Sequence, residues 1–230
     1  TYTHTYIQVK LIKASRAEIV RPCNLKDYNC IGENLGANSQ CSRKVKGYLP
    51  REYTVKEFRF ETPYFNASYI DRNLIVKNHN KCNVSEFFFN TDTNKAVLSM
   101  DCQNLDLESD RVLIQHRSKK EDIFYHYHIR ATYPLIRITV NLHSLAHMDL
   151  CKAHVFTEVV YLPFFHIDPK DKPTKNHLSR DLTALMIFER ETFYYGGDRL
   201  AKVFVDSLIC DYGCNRRVLP HYSELLVNEI

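Results

Sequence analysis

Ile123-Phe124-Tyr125-His126-Tyr127-His128-Ile129-Arg130 and, shortly after it, Ile136-Arg137-Ile138-Thr139-Val140-Asn141-Leu142-His143 decide the fold class. In each stretch every second residue is apolar or aromatic, and the residues between are mostly polar. Successive side chains on a strand point to opposite faces, so this period of two describes a strand with one dry face and one wet face. Val155, Thr157, Val159 and Tyr161 continue the pattern. Upstream, residues 82–104 read as a hairpin, with Thr91-Asp92-Thr93-Asn94 as the turn and Ala96, Leu98 and Met100 facing inward. Long strands that each bury one face imply an antiparallel sheet curved around a core.

The remaining chain reads less uniformly. Residues 1–22 form an extended N-terminal arm in which Ile7, Val9 and Leu11 alternate with Gln8 and Lys10. The expected domain then runs over 23–230. A short helix is expected around residues 31–45, and Asp168-Pro169-Lys170-Asp171-Lys172-Pro173 reads as a loop. Residues 182–195 fit helix or strand equally. After Gly196-Gly197, Asp198 serves as a helix N-cap, and Leu200, Val203, Phe204, Ser207 and Leu208 follow at helical spacing.

Composition narrows the function classes. The net charge of +4 is small and the basic residues are scattered, which excludes an electrostatic nucleic-acid binder. No run approaches 18 apolar residues, so no membrane insertion is expected. Eight cysteines without paired CxxC spacing point to disulfides and an oxidising compartment: Cys23, Cys30, Cys41, Cys82, Cys102, Cys151, Cys210 and Cys214. The sequons at Asn66 and Asn83 agree with a secreted glycoprotein. The hairpin register places Cys82 opposite Cys102.

Chemistry is sparse. There is no Gly-x-Ser-x-Gly elbow and no His-Glu-x-x-His, so no enzyme is expected. His143 and His147, followed by Asp149 and Cys151, have helical ligand spacing but sit at the end of a strand pattern, where the side chains do not converge. Neither a metal nor a cofactor is expected.

Four segments carry a family resemblance. These are the short Cys23…Cys30 loop, Lys46-Gly47-Tyr48-Leu49-Pro50, the run of alternating strands from about 73 to 165, and Phe193-Tyr194-Tyr195-Gly196-Gly197-Asp198-Arg199-Leu200. In order and spacing they resemble the insect juvenile-hormone-binding and takeout-like family of secreted lipid carriers. The resemblance implies an α+β fold of the tubular lipid-binding type, in which a strongly curved antiparallel sheet wraps a long C-terminal helix around an apolar tunnel. It also implies a Cys23–Cys30 disulfide and strand at 182–195. Cys151 would then join Cys210 or Cys214, and Cys41 would take the remaining partner.

On this reading the protein is a secreted carrier of a small hydrophobic ligand, such as juvenile hormone, another terpenoid or a fatty acid, in an extracellular fluid like haemolymph. The ligand wall is expected from the apolar phases of the clearest segments: Tyr125, Tyr127, Ile136 and Ile138 of the sheet, with Leu200, Val203, Phe204 and Leu208 of the helix. The alternative is an extracellular interaction protein with a filled core, acting on a protein partner through its surface.

Overall fold

The computed structural model describes residues 19–42, 45–62, 65–143, 150, 153–180 and 182–212. Within α3, defined below, the side chains at 182–189, 191, 194 and 195 are likewise not described, nor is that of residue 143. The order is helix α1 (Tyr28–Ala37), strands β1 (Glu52–Thr62), β2 (Ala67–Lys77), β3 (Asn83–Asn90), β4 (Lys95–Gln115), β5 (Ile123–His143), β6 (His154–Val159) and β7 (Phe164–Pro169), then helices α2 (Lys172–Leu178) and α3 (Leu182–Leu208). The seven strands form one antiparallel sheet along the path β1-β2-β4-β5-β6, with β3 on β4 and β7 on β5.

The two stretches that decide the class are one strand. β4 and β5, 21 residues each, pair along their whole length. The buried phase nevertheless changes midway. In β5 it is odd up to Tyr133 and even from Ile136; in β4 it is even up to Cys102 and odd from Leu105. The pairs Gln103–Leu135 and Leu105–Tyr133 set Asn104 opposite Pro134 at the change. Asn104 has φ +48°, a left-handed conformation asparagine tolerates better than most residues, and Pro134 has no N–H to donate. Both strands shift pleat together, so both halves keep their apolar side on the same face. β1 and β2 do the same where Lys56 lies opposite Asn73, φ +51°.

The outer face carries rows of paired charges. Asp101, Arg137 and Glu158 are register neighbours, as are Glu108, Arg130 and His166. Arg137 donates to both carboxylate oxygens of Asp101 at 2.8 Å, and that hydrogen bond holds the Asp101 carboxyl below its ordinary range. The inner face packs on the helices. Its most polar element is Arg111 in β4, which grips Asp71 in β2 through two nitrogens at 2.6 and 2.9 Å, both side chains being 0% exposed. Ser109 also donates to Asp71, Arg111 donates to Thr192 of α3, and the Phe60 and Tyr69 rings flank the guanidinium at 5.5 Å.

The helical region corrects the sequence reading. Residues 182–195 are helix, not strand, and Asp198 lies inside α3 rather than capping its start. Gly196 and Gly197 mark a close approach to the sheet: a Cβ at Gly197 would overlap the Thr157 side chain of β6, and one at Gly196 would touch Phe58 at 3.4 Å. The helix expected around 31–45 is α1, capped at Asp27, whose carboxylate accepts from the Cys30 amide. The expected loop from Asp168 ends β7 and starts α2, with Asp171 as N-cap and Pro173 in the first turn.

The architecture as a whole is also corrected. The described residues are mostly sheet, and that sheet is not strongly curled around a helix. α3 contacts β6, β5 and β1 from the inner face. Among the described residues, packed side chains stand where the tunnel was expected. Phe193 meets Tyr133 edge-on at 4.4 Å, Thr192 bonds Arg111, and Gly197 abuts Thr157. The space left where α3 crosses β1 and β2, lined by Tyr53, Phe58, Leu107 and Arg199, is about 20 Å³, enough for roughly one water molecule.

Candidate interaction surface

The eight residues expected to line a ligand tunnel lie in or against the core. Tyr125, Tyr127, Ile136, Ile138, Leu200 and Phe204 are buried, while Val203 and Leu208 are half-buried. They lie at several places in the core. Tyr125 lies under α2, where its ring stacks on His177 at 3.8 Å. Ile136 and Ile138 pair with Val159 and Thr157 of β6, beyond the pleat change at Pro134. Phe204 packs edge-on against Tyr28 of α1 at 6.2 Å.

Three disulfides tie the described elements together. Cys23–Cys30 closes the loop before α1, and Cys82–Cys102 joins opposite positions at the base of the β3–β4 hairpin. Cys41–Cys210 fastens the segment after α1 to the end of α3, with Cα atoms 5.7 Å apart. Of the arrangements the sequence left open, a Cys151–Cys210 bond is therefore corrected; Cys151 and Cys214 lie outside the described residues. Such bonds belong to an oxidising, secretory compartment. Asn66 and Asn83 are both exposed. The Asn66 side chain donates to the His116 carbonyl at 2.9 Å.

Metal chemistry has one candidate among the described residues, His79 with Cys82 and Cys102. The two sulfurs are bonded to each other and so are not thiolates. Burial holds His79 neutral, with its pKa lowered to about 4, while the backbone of Leu200 acts in the opposite direction. His147, Asp149 and Cys151 fall outside the described residues.

The feature that sequence reading missed is on the surface. Val160-Tyr161-Leu162-Pro163-Phe164 joins β6 to β7. Tyr161 was expected to continue the inward phase of the strand, but β6 stops at Val159. Tyr161 is 60% exposed, Leu162 53% and Phe164 73%. Consecutive exposed apolar residues are disfavoured unless they have a use. The available signal was the loss of alternation itself: apolar residues run unbroken from Val159 to Phe165 around a proline.

Phe164 is shared with a shallow groove of about 450 Å³ on the outer face. Phe164, Thr132 and His166 line it together with Lys77, Asp106, Glu108 and Arg130, while Phe165 turns towards the core. Those charges are mutually satisfied: Lys77 meets Glu108 at 3.0 Å, and Arg130 meets the same carboxylate at 3.3 Å. The Lys77 hydrogen bond is the main cause that lowers the Glu108 pKa. Such a surface offers apolar contact beside a balanced polar rim, the usual anatomy of a protein contact.

Comparison with known proteins points away from the expected carrier family. The family model described as Fibroin P25 matches residues 19–214. The protein named Fibrohexamerin from Galleria mellonella is 55% identical over 209 residues, covering 90% of this chain and 96% of that protein. These matches overturn the juvenile-hormone-binding and takeout-like resemblance, which rested on the order of loose motifs. The lipid-binding function, the small hydrophobic ligand as partner and the transport role fall with it. With the family model matching most of its length, the chain belongs to the fibroin P25 family.

Proposed function

We propose that this protein is a secreted, non-catalytic component of silk that acts by associating with fibroin through its surface. This reading extends to the chain what the family's name attaches to its members. The observation that carries it is the exposed apolar side chains of Val160, Tyr161, Leu162 and Phe164 at the β6–β7 turn. A carrier exposes its opening and hides its apolar wall. Here the described core residues are packed and the apolar turn faces outward, as an association surface requires. The disulfides suit a secreted protein, and the family's name makes the lumen of a silk-secreting gland, rather than haemolymph, the site of action.

The test is direct binding. Purified protein with its disulfides intact is passed over immobilised soluble fibroin, with serum albumin as the reference surface. Saturable binding to fibroin and none to albumin is expected. No binding to fibroin across pH and salt, by protein with native circular dichroism, refutes the reading.

A further inference from the structure

We propose that the β6–β7 turn and the adjoining groove form one docking site for an extended, uncharged segment of the protein partner. The proposal rests on the association reading above and names the place and the chemistry of contact. Its first support is continuity. Phe164 stands both at the end of the exposed run and on the wall of the groove, so a chain lying across Tyr161 and Leu162 runs on into the groove without leaving the surface.

Charge selects the occupant. The groove wall presents Lys77 and Arg130 against Asp106 and Glu108, and these cations already meet Glu108. Asp106 accepts from Thr132 at 2.7 Å and from Asn78 at 2.7 Å. A charged segment entering here would lose hydration without finding an unmatched opposite charge, which is costly. A neutral segment loses little and gains contact with Phe164, Tyr161 and Leu162. An extended backbone can also offer N–H and C=O groups to the polar rim.

The sheet's opposite edge behaves differently. β1 carries Glu52, Lys56, Glu57, Arg59 and Glu61 along its length. Charges of this kind are the usual protection of an edge strand against pairing with another chain. The β6–β7 turn has no charge between Glu158 and His166. Size argues for a segment rather than a second copy of this chain. A few exposed side chains and a shallow groove supply a few hundred Å², well under the roughly 800 Å² per partner of a stable dimer.

The experiment uses the full chain in three forms: wild type, Leu162→Glu with Phe164→Glu, and Phe88→Glu as a control at another exposed aromatic position. Because the altered side chains are exposed, all three should fold alike by circular dichroism. Binding is measured to soluble fibroin and to two short synthetic peptides. One alternates valine and threonine; the other alternates valine and glutamate. The double variant should lose about tenfold or more in affinity for fibroin, as expected when central contacts are removed, and the control should stay within about twofold. The wild type should take up the neutral peptide in preference to the acidic one, with little change at high salt. If wild type binds fibroin and the double variant binds equally well, the docking site is wrong while the association stands. Preference for the acidic peptide overturns the charge argument. Absence of fibroin binding by wild type refutes the function itself.

Discussion

Replacing Arg111 by methionine tests how the inner face is held. In the wild type, the Asp71 carboxylate accepts two charge-assisted bonds from Arg111, at 2.6 and 2.9 Å, and one from Ser109 at 2.9 Å. Both charged side chains are 0% exposed, so water cannot replace what is lost. Arg111→Met keeps the length and apolar stem but leaves the Asp71 carboxylate relying on the Ser109 hydroxyl. Removing one member of a buried pair typically costs about 3–5 kcal/mol. The lost bond to Thr192 and the two ring contacts put this site towards the upper half of that range.

The companion double variant, Asp71→Leu with Arg111→Met, removes both charges and fills the space with apolar atoms. It should be more stable than Arg111→Met alone, because no buried charge remains unpaired. The assay is urea unfolding followed by tyrosine fluorescence, with disulfides intact and the midpoint and slope fitted together. A loss below about 1 kcal/mol in Arg111→Met, or a double variant as unstable as the sum of its parts, would refute the claim that the pair is dry and mutually required.

Four further outcomes are expected. His79 is 0% exposed and its pKa in the folded protein is about 4, below the ordinary 6.5. The unfolded chain therefore takes up the proton first, so stability is full above about pH 6.5 and declines by up to about 3 kcal/mol as pH falls to 4; His79→Gln should lack this component in pH-dependent unfolding. Peptide mapping without reduction should recover Cys23–Cys30, Cys41–Cys210 and Cys82–Cys102 and find no alkylated cysteine. Loop lengths of 169 and 7 residues make loss of Cys41–Cys210 cost about 5 kcal/mol against about 2.5 for Cys23–Cys30 in the chain-entropy account, readable as unequal shifts in thermal midpoint. Asn66 and Asn83 are exposed, so protein from a eukaryotic secretory host should lose mass on treatment with an N-glycosidase; unchanged mass would remove both sequons from the case.

How much of this was legible in the sequence depends on the range of the interactions. The alternation of Ile123 to Ile129 and of Ile136 to Leu142 is a local consequence of one dry face, so strand character could be read directly. The turn at Thr91–Asn94 was equally local, as were the exposed sequons. The cysteine count gave the compartment for the same reason: it needs no geometry.

Tertiary structure decided the rest. Only the pairing of Asn104 opposite Pro134 shows that two opposite phases belong to one strand, because the pleat must shift in both partners at once. Gly196 and Gly197 looked like a break before a helix. They are the places where a continuous helix comes so close to Phe58 and Thr157 that a side chain would not fit, and that distance exists only between elements far apart in sequence. Phe193 and Phe204 have the same apolar character whether they line a tunnel or fill a core. Which of the two occurs depends on whether the opposite face supplies atoms to meet them, as Tyr133 and Tyr28 do here. The sequence alone determined that this chain makes a one-face-buried antiparallel sheet stabilised by disulfides; the distance between sheet and helix, which no local pattern encodes, closed the core and left the apolar run at Val160–Phe164 on the outside.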